Sequence, residues 1–399
     1  MDNIYRRRLD REQLDRVLAS AGIAPGLVRS WTELPEATFN TVYRVELDGG
    51  TAAAASAAAS AANGTPSDQL RPSGVQPGEV QPGGVPSGAV PSGEMPPGPV
   101  PSGAVPSGAV PSGAVLKVAP DPDAPALAYE QGIMRTEALF HREAAAAHLP
   151  VPKVLHADFG RETTGSDLLL LSELPGADWH TLRERIGGPD RERLRTELGG
   201  LVARLHRITG PGFGYPQGEP APDWPTAFTA MVEAVLTDAD RYGAELPVSA
   251  ERVRAAVRDS ADVLAAVRTP ALVHFDLWDG NILIDPAPPR PRISGLIDGE
   301  RAFWGDPLAD LVSPALFGDI ERDPAFLAGY RAGGGQVLFD SATRRRLALY
   351  RCYLYLIMLT EAVPRGYGGP EHAWVAAQAG RQLRAQLEAL DTVRPGSAP

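Results

Sequence analysis

An α+β fold of two lobes, strand-rich over residues 1–172 and mainly helical over 173–399, is predicted by three features of this 399-residue sequence. Short apolar runs broken by turn residues dominate the structured portion of the first part. Long stretches of helical periodicity fill the second, and a single low-complexity block separates two strand-like runs of the first. A chain of this length can bury two cores and hold a cleft between them.

The elements follow in order. Residues 10–21 predict a helix, with Asp10 as cap, Gln13 completing a capping box, Leu14, Val17 and Leu18 on one face, and Gly22 as stop. Val28 to Leu34 predicts a first strand. Thr41 to Leu47 predicts a second, with Tyr43, Val45 and Leu47 on one side and Arg44 and Glu46 on the other. Asp48-Gly49-Gly50 is a hairpin signal, yet the partner strand, Val115 to Ala119, arrives only after residues 51–113. That intervening segment is an Ala/Ser tract followed by five-residue repeats such as Pro101-Ser102-Gly103-Ala104-Val105. It offers few large apolar side chains to offset the entropy of ordering, so a disordered insert in the hairpin is expected. A period of five excludes a collagen-type triple helix.

Residues 124–148 predict a helix stopped by Leu149-Pro150-Val151-Pro152. Strands over Lys153 to Ala157 and Leu168 to Leu171 come next, then a connector from Ser172 to Gly176. Helices are predicted near 190–207, 225–240, 249–267, 341–361 and 371–390.

Composition narrows the function. A formal net charge of -11 argues against general affinity for nucleic acid or anionic membrane, both of which need a basic surface. The sequence has no long uninterrupted apolar stretch of about 18 residues, and its start lacks the apolar segment of a secretory signal, so a cytoplasmic location is expected. Cys352, the single cysteine, sits in an apolar run and reads as a buried thiol. The basic residues are nearly all arginine, and Lys117 and Lys153 are the only lysines. A lysine kept in such a chain draws attention, because a compact ammonium and a planar guanidinium are not interchangeable in a tight phosphate site.

The chemistry concentrates in Leu272-Val273-His274-Phe275-Asp276-Leu277-Trp278-Asp279-Gly280-Asn281-Ile282-Leu283-Ile284-Asp285. An apolar run leads into a polar turn and out into a second run, which fixes Asp276 and Asn281 on one loop. A further strand, Ile293 to Ile297, breaks at Asp298, with Gly299 expected to allow the sharp turn. Phosphoryl transfer from a nucleotide needs a carboxylate to orient the acceptor hydroxyl and take its proton, and oxygen ligands for the metal on the phosphates. Asp276 suits the first task, and Asp298 with Asn281 suits the hard, oxygen-preferring magnesium ion.

The order His274-x-Asp276-x4-Asn281, Ile297-Asp298 and Gly305-Asp306-Pro307-x2-Asp310-Leu311 resembles the signature of aminoglycoside phosphotransferases and the related choline, homoserine and fructosamine kinases. These form a branch of the protein-kinase-like fold, and the resemblance covers residues 27–47 and about 115–390. It implies ATP and Mg2+ as cofactors and a small-molecule hydroxyl as acceptor: an aminoglycoside, a ketoamine or a related metabolite. It implies that Lys117 binds the α- and β-phosphates and is held by Glu137, with Glu130 as the alternative holder. Thr38, in the turn Pro35 to Asn40, falls to the nucleotide as well, and Glu173 and Leu174 belong to the hinge that meets adenine. His274 is expected to brace the catalytic loop, His206 to be structural, and Asp306 and Asp310 to brace and cap.

The turn Pro35 to Asn40 departs from the pattern in having no glycine, which denies the phosphates a close backbone nest. That departure and the insert motivate the alternative of a nucleotide-binding pseudokinase acting as scaffold or sensor, against which Lys117, Asp276, Asn281 and Asp298 all argue. Asp279, Glu300, Asp306, Asp319, Glu321 and Asp323 are expected to surround the cleft and to favour a cationic acceptor.

Overall fold

The computed structural model describes residues 5–34, 39–48, 113–287 and 289–392. The expected insert, apart from Gly113, lies outside the described residues, and so does Thr38.

An antiparallel five-stranded sheet in the order β1-β2-β3-β5-β4 forms the N-terminal part: β1 (Val28–Glu33), β2 (Thr41–Leu47), β3 (Gly113–Val118), β4 (Val154–Asp158) and β5 (Leu168–Ser172). Glu46 of β2 pairs with Gly113 and Thr41 with Val118, so the hairpin closes as expected across the long sequence gap. Gly113 is thus the first residue of the strand rather than the last of the insert. Helix α1 (Arg11–Ser20), capped by Asp10 with the full capping box, lays Leu14, Val17 and Leu18 on one face of the sheet against Tyr43, Val45, Leu116, Val118 and Leu170. Helix α2 (Ile133–Ala146) covers the other face, where Val42, Val115, Leu169 and Leu171 join the main core. Strand alternation puts Lys117, paired with Val42 and Leu169, on this α2 side.

Helix α2 begins later than the sequence suggests, after Ala128–Glu130 forms a separate short turn and Gly132 adopts φ of 72°. The C-terminal part is helical: α3 (Trp179–Leu182), α4 (Gly188–Leu205), α5 (Trp224–Tyr242), α6 (Ala250–Arg258), α7 (Ala261–Leu264), α8 (Pro324–Ala332), α9 (Ser341–Glu361) and α10 (Gly369–Thr392). The helix expected over 249–267 is split near Ser260, and α8 was not foreseen. Two small antiparallel sheets hold the loops that matter: β6 (Ala177–Asp178) with β8 (Ile282–Asp285) and β9 (Arg292–Leu296), and β7 (Ala271–Val273) with β10 (Phe303–Gly305). Among the described residues no helix is long and apolar enough to cross a membrane. Cys352 is buried in α9, as expected.

Candidate active site

Lys117 is 2 % exposed in the middle of the sheet, where its ammonium has no water to solvate it. Two carboxylates replace that solvation: Nζ donates to Glu137 Oε1 at 2.7 Å and to Asp298 Oδ1. Burial alone would favour the neutral amine, but the charges of Asp298, Glu137 and Glu300 outweigh it and hold the ammonium firmly protonated. Burial likewise works against the Glu137 anion, and Lys117 overcomes it, so this carboxyl sits low, at about 2. Glu137 is fixed from its own helix by His141, one turn on, whose Nε2 lies 3.4 Å from Oε1. The lysine partner expected from the sequence is thus the one found, and Glu130 serves elsewhere.

Asp276 and Asn281 share the loop between β7 and β8. Asn281 donates through Nδ2 to the Asp276 carbonyl at 2.8 Å and to its carboxylate at 3.1 Å. His274 is wholly buried and held by two bonds, Nε2 donating to the Ile297 carbonyl at 2.8 Å and Nδ1 accepting the Asp276 amide at 3.3 Å. Burial pushes its imidazole below the ordinary range, so it is a neutral strut between the loop of Asp276 and the segment that leads from β9 to Asp298. Phe275 has φ of 64°, a left-handed conformation costing a side-chain-bearing residue about 1–2 kcal/mol. Asp310 holds it there by accepting the amides of His274 at 2.9 Å and Phe275 at 2.7 Å. His206 secures Asp310 in turn through Nε2 at 3.1 Å.

Asp298 follows β9 and itself takes a positive φ, 58°, so the sharp turn expected at Gly299 begins one residue earlier. Gly299 is needed for a different reason: a Cβ there would collide with the ring of Phe140 on α2. That ring also meets His274 edge-on, with centroids 4.9 Å apart. Burial pushes the Asp298 carboxyl up to about 6 despite Lys117. Asp298 Oδ2 and Asn281 Oδ1 are both buried without a hydrogen-bond partner, as oxygens kept for a cation would be.

The hinge residues connect β5 to the helical part. The Glu173 amide donates to the Gly113 carbonyl at 3.1 Å and its carboxylate pairs with Arg44 at 2.7 Å, while Leu174 packs against the backbone of β9 at Gly295.

Arg301 went unnoticed in the sequence. Arg301 places Nε 3.9 Å from Asp276 Oδ2 and donates from Nη2 to Glu361 at 2.8 Å. Glu300 is buried, accepts from Asn40 Nδ2 at 3.0 Å, and is pushed by burial up to about 8. Glu300, expected as one of the cleft acids, thus stands beside Lys117 and Asp298.

Four of the six expected cleft acids are neutralised by arginines. Asp306 is buried and accepts from Tyr350 at 2.6 Å and Arg346 at 2.9 Å. Asp319, Glu321 and Asp323 pair with Arg351, Arg344 and Arg195 at 3.0, 2.8 and 2.6 Å. These arginines consume the charge of those four acids, which leaves Asp279, on the loop of Asp276, and Glu300, beside Lys117, as the members of the set near the site.

A sheet-borne lysine tied to a helix carboxylate, facing a loop with Asp276 and Asn281 and a second loop with Asp298, defines a kinase-like phosphotransferase. The chain belongs to the phosphotransferase enzyme family, whose model matches residues 108–350. Its fold is that of a Ralstonia eutropha protein provisionally assigned as an aminoglycoside phosphotransferase, with a TM-score of 0.56 and 12% identity over 96% of this chain and 99% of the other. A thermostable mutant of aminoglycoside phosphotransferase APH(4)-Ia, crystallised with ADP and hygromycin B, is similar at a TM-score of 0.51 and 17% identity over 97% of this chain and 100% of that one. The protein-kinase-like architecture read from the sequence is therefore the one observed.

Proposed function

We propose that this phosphotransferase moves the γ-phosphoryl group of MgATP to a hydroxyl of a small molecule, an aminoglycoside, a ketoamine or a related metabolite, with Asp276 as the base. The observation that carries the reading is the pair of buried, unpartnered oxygens, Asn281 Oδ1 and Asp298 Oδ2, beside the ion pair of Lys117. Among the described residues no group of three or more histidine, cysteine or acidic side chains makes a complete metal cage. That suits magnesium, which takes one or two protein ligands and completes its shell with phosphate oxygens and water.

In this reading Asp298 and Asn281 would hold magnesium, which would supply positive charge to the phosphate oxygens. Lys117 gives up Asp298 for the α- and β-phosphates while Glu137 keeps its ammonium in place. Asp276, oriented by Asn281 Nδ2, accepts the proton of the acceptor hydroxyl as its oxygen bonds to phosphorus and ADP departs. In the same reading the adenine edge would meet the connector at Glu173 and Leu174.

An ATP-consumption screen over aminoglycosides, ketoamines, amino alcohols and sugars, with mass spectrometry of the products, tests this. An acceptor that gains one phosphoryl group is the expected result. Absence of any acceptor-dependent consumption across those classes counts against it.

A further inference from the structure

We propose that Arg365 is a positioning residue that couples the entrance of α2 to the candidate base, through Glu361 and Arg301; this rests on the reading of Asp276 given above. Glu130, passed over as the partner of Lys117, accepts the Leu127 amide at 2.7 Å and pairs with Arg365. Arg365 lies one turn beyond Glu361 and forms an ion pair, at 3.2 Å, with the same carboxylate oxygen that accepts Arg301 at 2.8 Å. Arg301 in turn faces Asp276. Charges alternate along the whole path: Glu130, Arg365, Glu361, Arg301, Asp276.

Every intermediate member is buried, with Glu130, Glu361 and Arg301 exposed by 5%, 6% and 7% and the Arg365 side chain by 3%. Charges so far from water cost desolvation that their pairing only partly returns, so stability alone is a poor account of the row. Its placement suggests another. The short segment after α9 is gripped by three pieces of the N-terminal part: Tyr5 donates to the Pro364 carbonyl, Phe39 lies under the Arg365 guanidinium at 4.9 Å, and Glu130 pairs with it. Phe39 ends the turn between β1 and β2, and Glu130 precedes α2, which carries Glu137.

Arg301 is closer to Glu361 than to Asp276, by 2.8 against 3.9 Å. Glu361 thus restrains the guanidinium from closing onto the carboxylate that must receive the acceptor proton. Arg365 shares Glu361, so the strength of that restraint depends on whether Glu130 and Phe39 hold Arg365 in place. A shift of the N-terminal part is in this way felt at Asp276 without any contact between them.

The test uses the full chain with E130Q, which keeps the shape of the side chain, and R365Q. Turnover, acceptor KM and nucleotide dissociation constant are measured, with hydrogen–deuterium exchange of residues 272–283. In both variants kcat per folded molecule should fall by about 3- to 30-fold while nucleotide affinity stays within about threefold. Exchange over 272–283 should rise. A rise confined to residues 125–135 and 361–367 overturns the proposal, as does an unchanged kcat in E130Q. A parent protein that phosphorylates nothing defeats the proposed function alone, and the exchange comparison then decides the coupling by itself.

Discussion

Asn281 turns its Nδ2 toward Asp276, bonding both the carbonyl and the carboxylate, and thereby leaves its Oδ1 without a partner. One amide both orients the candidate base and offers a metal ligand. Asn281→Ala should therefore lower kcat by about 10- to 100-fold and raise the magnesium needed for half-maximal rate. Asn281→Asp should act differently. Two carboxylates at that separation cannot both ionise easily, so the acid limb of the kcat profile should move to higher pH. A profile superimposable on the parent would remove Asn281 from contact with the base.

Asp276→Ala deletes the proposed proton acceptor but removes no direct partner of Lys117 or Asp298. Turnover should fall by about a hundredfold or more with nucleotide binding nearly unchanged. Equal turnover in the two proteins would exclude Asp276.

Lys117 neutralises two buried carboxylates, so its removal is a matter of folding as well as function. Lys117→Met should destabilise the protein by about 3–5 kcal/mol, read from urea denaturation, because Glu137 and Asp298 are left facing each other. Lys117→Arg should retain more stability yet remain inactive, since a planar fork does not fit the place of an ammonium.

His141 and His274 are kept neutral by burial, each with its pKa below that of an exposed imidazole. As pH falls below about 6.5 the unfolded chain takes up these protons first, so their contribution to stability is present above that pH and is lost below it. Asp298 and Glu300, raised to about 6 and about 8, act in the opposite sense over the same range. The histidine contribution is accordingly read as a difference. His141→Leu should lose less stability than the parent between pH 7 and about 5.5 by urea midpoint, and identical slopes would contradict a neutral buried His141.

Because Glu46 pairs with Gly113, the chain leaves and re-enters the hairpin at neighbouring points. Deleting residues 51–112 and joining Gly50 to Gly113 should preserve both the thermal transition and the activity. Closing a long loop costs only about 2 kcal/mol more than closing a short one, so a slight rise in Tm is expected. A loss beyond about tenfold in turnover with an intact melt would show that the insert reaches the site.

What the sequence disclosed followed from local rules. Asp10 with Gln13, the alternation from Thr41 to Leu47 and the run Leu168 to Leu171 each carry their own periodicity, and the order of Lys117, Asp276, Asn281 and Asp298 is a motif. What it concealed depends on distant partners. The break near Ser260 has no proline or glycine to announce it; buried Arg345, 85 residues on, binds the Ser260 hydroxyl and the Asp259 carbonyl there. The acids from 306 to 323 looked like a charged surface because their arginines, on α4 and α9, are remote in sequence. Glu361 and Arg365 show a local i,i+4 spacing, but their links to Arg301 and Glu130 join separate elements and leave no periodic trace.

Phe140 stands one turn after Glu137 and touches both His274 and the backbone at Gly299. Helix α2 is thus the common datum from which Lys117, the loop of Asp276 and the turn at Asp298 are all located. A displacement of this helix cannot spoil one of the three and spare the others. Mild heat or denaturant would then reduce the number of competent molecules and leave the turnover of each survivor unchanged, so that activity declines as a head count rather than as a slowing.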